Sequence, residues 1–97
     1  MHNEIMRFIG KFQNEGTIKT FTEGCCYWFA EILKQRFCGL IMYNPIDNHF
    51  ATLINARLYD ITGELERTKG WSRWSEYKKR DDLETERINR YCINKID

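Results

Sequence analysis

Two short apolar segments separated by two residues constrain this chain more than anything else in it. Residues 49–54 (His49-Phe50-Ala51-Thr52-Leu53-Ile54) and 57–62 (Arg57-Leu58-Tyr59-Asp60-Ile61-Thr62) flank Asn55-Ala56. Strand-like runs joined by a two-residue connection predict an antiparallel hairpin. Its register follows: Ile54 faces Arg57, Ala51 faces Asp60 and His49 faces Thr62. Opposed residues share a sheet face and side chains alternate along a strand. His49 and Asp60 therefore form a diagonal pair on one face, with backbones roughly 7–8 Å apart. An imidazole and a carboxylate aimed at each other can close that gap, whereas a bulge or an odd-length loop would separate them.

Around this hairpin the pattern predicts helices. Ile5, Phe8, Ile9 and Phe12 recur at helical spacing within residues 3–13, with Asn3 as cap and Gly16 as stop. Such a stripe is expected to pack on the chain's own core. Thr17 to Thr22 reads as extended or turn-like. Residues 25–37 read as a central helix with Phe29, Ile32, Leu33 and Phe37 inward, ended by Gly39. Leu40 to Tyr43 is a short strand, followed by a turn around Asn44-Pro45-Ile46-Asp47-Asn48, and Gly63 closes the second hairpin strand. Residues 64–79 carry two tryptophans and no clear period. Asp81 or Asp82 caps a last helix reaching about Ile93. The expected fold is α+β: a central helix on a small antiparallel sheet of about three strands, with flanking N- and C-terminal helices.

The 97 residues suffice for a single compact domain, 1–97. Apolar content of 42% and aromatic content of 14% supply a core and exclude a disordered chain. A net charge of +1 lacks the basic excess of a dedicated nucleic-acid binder. With no signal peptide or spanning segment in the pattern, the expected setting is the cytoplasm, with no membrane partner. The four cysteines are then expected to be thiols, and without a C-x-x-C pair no metal site and no cofactor is expected.

The chemistry-bearing residues are Cys26, His49 and Asp60. Cys26 stands where a turn opens the central helix, in Gly24-Cys25-Cys26-Tyr27-Trp28-Phe29-Ala30. A helix N-terminus offers a positive dipole end and free N–H groups, which stabilise negative charge on sulfur. The Cys26 N–H is also the oxyanion donor that the sequence offers. A thiol, an imidazole and a carboxylate are the parts of an activated cysteine nucleophile. Taken singly, each has a structural use: Cys25 and Cys26 as core filler, His49 beside a turn, Asp60 as acceptor for backbone donors. Cys38 and Cys92 are expected to be packing residues.

Gly24-x-Cys26-x-x-x-Ala30-x-x-Leu33, His49 opening a strand and Tyr59-Asp60-x-Thr62-Gly63 on the next resemble the papain-like superfamily, and most closely its transglutaminase-like members, over roughly residues 22–63. That resemblance implies a cysteine-headed helix on an antiparallel sheet, with Cys26 as nucleophile, His49 as base and Asp60 as the orienting group.

Two functions are therefore expected. One is a small cysteine hydrolase or acyltransferase acting on an amide or thioester of a peptide, protein or acyl substrate. The other is a non-catalytic binding or inhibitor module, of the kind phages and mobile elements carry, using the Trp-rich segment 69–80. Tyr27, Trp71, Arg73 and Trp74 are the candidate substrate or partner surface. Basic residues interleaved with tryptophans can stack on bases, but Glu76, Asp81, Asp82 and Glu84 interrupt the pattern and argue against nucleic acid. The expected state is a monomer or small homo-oligomer.

Overall fold

The computed structural model describes residues 1–22, 26–66 and 70–79. In chain order the elements are α1 (His2–Gly10), α2 (Glu15–Thr22), α3 (Cys26–Phe37), β1 (Leu40–Asn44), β2 (His49–Ile54), β3 (Arg57–Asp60), β4 (Gly63–Leu65), β5 (Ser72–Arg73) and α4 (Trp74–Tyr77). The fold is α+β, with one antiparallel sheet ordered β4-β3-β2-β1-β5. Among the described residues it has five strands rather than three. The two extra strands are short edge strands taken from the segment that showed no period. The expected C-terminal helix lies outside the described residues.

The hairpin has the register its sequence dictates, with Ile54 opposite Arg57 and Thr52 opposite Tyr59. Asn55 and Ala56 both take positive φ, 49° and 66°, the backbone of the two-residue turn that matches strand twist. A second tight turn follows. β3 stops at Asp60, and Gly63, at φ 113°, opens β4 opposite it. Gly63 thus starts a strand instead of closing one.

The segment Thr17 to Thr22 belongs to a helix, not to extended chain. The Asn14 side chain accepts the Thr17 N–H at 2.9 Å, an N-cap bond to the third helical residue. Ile18 and Phe21, one turn apart, pack on the core with Phe29. A cap and two apolar contacts outweigh the weak bias of three threonines. At the end of α3 the roles of two residues are exchanged. Cys38, not a glycine, takes the left-handed conformation at φ 57°. The Gly39 N–H then reaches back to the Lys34 carbonyl at 3.3 Å, closing a Schellman turn. Gly39 is required for closeness: a Cβ there would lie 2.6 Å from Thr52 Cγ2 and 2.8 Å from the Leu53 carbonyl oxygen.

α3 lies along β2. The Thr52 hydroxyl, fully buried, donates to the Ala30 carbonyl at 2.8 Å. Ile54 packs with Phe29 and Leu33 near one end, together with Ile5 and Ile9 of α1. Phe50 packs with Cys26 and Ala30 at the other. The start of α3 therefore stands over the start of β2. The opposite face of the sheet buries Met42, Ala51 and Leu58 under Leu53, Leu65 and Trp71. Among the described residues, no helix is long and apolar enough to cross a membrane.

Candidate functional site

Three elements end at one place. Cys26 is the first residue of α3, His49 the first of β2 and Asp60 the last of β3. Each is positioned by a neighbour in the core. Phe50 and Ala30, packed together, fix the start of α3 against β2. The turn after β3 fixes Asp60.

His49 Nε2 and Asp60 Oδ2 are 2.8 Å apart. The second carboxylate oxygen, Oδ1, accepts the Thr62 N–H at 2.8 Å and the Thr62 hydroxyl as well. Both oxygens are thereby engaged, and the carboxylate cannot turn away from the imidazole. Thr62 is a positioning residue that the sequence pattern contained but did not single out. Its signal was an Asp-x-Thr step at a tight turn, where a carboxylate accepts from the N–H two residues on.

Cys26 lies close enough to the imidazole to act on its charge alongside Asp60. Nε2 is taken by Asp60, which leaves Nδ1 as the ring nitrogen for any bond to the sulfur. Burial would lower the pKa of His49. The hydrogen bond to Asp60, with the influence of the neighbouring Cys26 and of the Asp60 charge, outweighs burial and raises it to about 9. Burial likewise opposes ionisation of Asp60. The His49 bond and the two from Thr62 overcome that and hold its carboxyl below the ordinary carboxylate value. At neutral pH the ring is thus an imidazolium between a carboxylate and a sulfur. Cys26 is 6% exposed, and its N–H lies in the first turn of α3, where a helix supplies no acceptor of its own.

The other candidates divide between two places. Tyr27, Arg73 and Trp74 line a cavity beside the start of α3. Trp71 lies elsewhere: it packs on the Met42, Ala51 and Leu58 face and meets the His49 ring edge-on at 6.2 Å. Its indole Nε1 is buried and has no hydrogen-bond partner among the described residues. Cys38 is exposed at the end of α3 rather than packed, because the left-handed Schellman position faces solvent. Cys25 and Cys92 lie outside the described residues. Among the described residues no group of three or more His, Cys, Asp and Glu is placed to hold a metal.

A family model matches residues 5–93 of the chain, under the description phage YunG-like protein. The chain belongs to the phage YunG-like family. No curated protein and no solved structure matches it. This membership overturns the resemblance to papain-like and transglutaminase-like enzymes and the class label of cysteine hydrolase taken from it. The family match spans nearly the whole chain, whereas the resemblance rested on short motifs within 22–63. The physical reason for the misreading is convergence: a cysteine at a helix start with histidine and carboxylate nearby recurs on unrelated folds.

Proposed function

We propose that this YunG-like protein carries a nucleophilic thiol at Cys26 that takes up an acyl group from an amide or thioester. The observation that supports the reading is the single imidazole held between Asp60 and Cys26. A packing cysteine has no use for an imidazolium, and a structural His–Asp pair has no use for a sulfur on its free side.

In the proposed chemistry the Cys26 thiolate attacks the acyl carbon, and the N–H at the start of α3 faces the oxyanion that forms. His49 gives its proton to the departing amine or thiol as the C–N or C–S bond breaks, leaving an acyl thioester on Cys26. His49, now neutral, removes a proton from an acceptor amine or hydroxyl, which attacks the thioester and regenerates the thiolate. Asp60, held by Thr62, keeps the ring oriented throughout.

The test is iodoacetamide alkylation across pH, read at each cysteine by mass spectrometry, in the native protein and in His49→Ala. The reagent is small enough for a sulfur this enclosed. The expected result is fast modification of Cys26 well below pH 8.5, the value at which a free thiol is about half ionised, lost in His49→Ala. If Cys26 reacts no faster than Cys38 in the native protein, the acyl chemistry is wrong. The protein is then a binding module, to be pursued through Trp74 and its neighbours.

A further inference from the structure

Tyr27, Glu31 and Lys34 on α3, Ile41 on β1, Arg73 on β5 and Trp74 on α4 enclose a cavity of about 170 Å³. That is smaller than the roughly 300–1,000 Å³ of sites that take in a whole small molecule, and suits one side chain. Its walls are aromatic and its rim is charged. Among the described lining residues, Lys34 and Arg73 bring two cations against the carboxylate of Glu31. Glu31 already accepts a hydrogen bond from the Gln35 amide at 3.2 Å. In a chain of net charge +1, this is a local excess of positive charge over an apolar slot.

Two walls of the cavity belong to the surroundings of Cys26. Tyr27 follows Cys26 in sequence, and its ring packs edge-on against Phe50 at 5.1 Å. Trp74, which forms a wall, packs in the same cluster as Cys26 and Phe50. We propose that this cavity binds an acidic side chain, glutamate or aspartate, of a peptide. Resting on the reading of Cys26 above, that peptide carries the acyl group the thiol attacks. The stem of the acid lies against Tyr27 and Trp74, and its carboxylate meets Lys34 and Arg73.

Binding can be read with the chemistry blocked. Fluorescein-labelled pentapeptides with a central glutamate, glutamine or lysine are titrated into Cys26→Ser and followed by anisotropy at low salt. Two ion pairs made by exposed side chains set the expected preference for glutamate over glutamine at about tenfold. Lys34→Gln with Arg73→Gln should abolish it. Both side chains are exposed, so an unchanged thermal midpoint shows that the double variant folds. Equal affinity for glutamate and glutamine peptides, or a preference that survives the double variant, overturns the proposal. So does a labelled oligonucleotide that binds more tightly and depends on the same two residues. Alkylation of Cys26 is scored separately: an inert Cys26 with an intact glutamate preference overturns the acyl chemistry and leaves an acidic-peptide site.

Discussion

At the scale of single residues, the site is a chain of hydrogen bonds in which each member sets the state of the next. Thr62 pins Asp60 Oδ1, Asp60 Oδ2 holds His49 Nε2, and the ring faces Cys26. Asp60→Asn should therefore bring the His49 pKa down from about 9 toward the ordinary 6.5. Histidine ring chemical shifts followed against pH give the value directly; an unmoved pKa would mean that Asp60 does not set the charge of the ring. Thr62→Val should move it in the same direction by less, because the Thr62 N–H remains. Trp71 offers a second residue-scale test. Its buried Nε1 has no partner among the described residues, and a buried unmade hydrogen bond costs about 1–3 kcal/mol. Trp71→Phe removes that cost while giving up part of the ring, so it should stay within about 1 kcal/mol of the native protein in urea unfolding. Trp71→Ala should lose roughly 2 kcal/mol or more through lost burial. Equal losses for both would show that the indole N–H does find a partner in solution.

At the scale of elements, what could be read from sequence depended on whether the deciding interaction was local. The β2–β3 hairpin was legible because a two-residue loop fixes its register, and that register carried the His49–Asp60 pairing with it. α3 was legible from its period. α2 was not, because its composition favours extended chain while its cap, Asn14, lies outside the segment and its reward comes from packing on Phe29. β4 and β5 have three and two residues, too short for alternation to register. The contact of Cys26 with His49 joins helix to sheet, and no spacing in the sequence could fix it. Two substitutions test this account of the elements. Ala56→Gly should stabilise by about 0.5–1 kcal/mol, since Ala56 holds φ at 66°, where glycine has no steric penalty. Gly39→Ala should destabilise by about 2 kcal/mol or more, because the new methyl would meet Thr52 Cγ2 at 2.6 Å and the Leu53 carbonyl oxygen at 2.8 Å. A neutral Gly39→Ala in denaturant titration would mean that α3 does not sit this tightly on β2.

At the scale of the whole molecule, the site links folding to pH. The pKa of His49 is raised from 6.5 to about 9 on folding, so the folded state holds that proton more tightly than the unfolded chain. The resulting stability is fully present below about pH 6.5 and is lost as pH rises through about 9. Asp60 works in the opposite sense. Its pKa is lowered from 3.8, so its contribution is present above that value and is lost as pH falls through the lower, folded one. Between the two windows both contributions are whole, and there the imidazolium is fixed by the carboxylate on one side and the sulfur on the other. A thiol that ionises in the same interval would offset this slope, so the His49 contribution is read in Cys26→Ser, whose urea midpoint should decline as pH rises above about 6.5. In Cys26→Ser with His49→Gln, where the ring proton is gone, the decline over the same interval should flatten. Adding Asp60→Asn to Cys26→Ser should flatten it in part and should also remove the acid-side loss. A Cys26→Ser protein whose midpoint is level above about pH 6.5, or a Cys26→Ser, His49→Gln variant that keeps the slope, would show that the ring is neutral in the folded state. The thiol would then lack the cationic neighbour on which the proposed acyl chemistry depends.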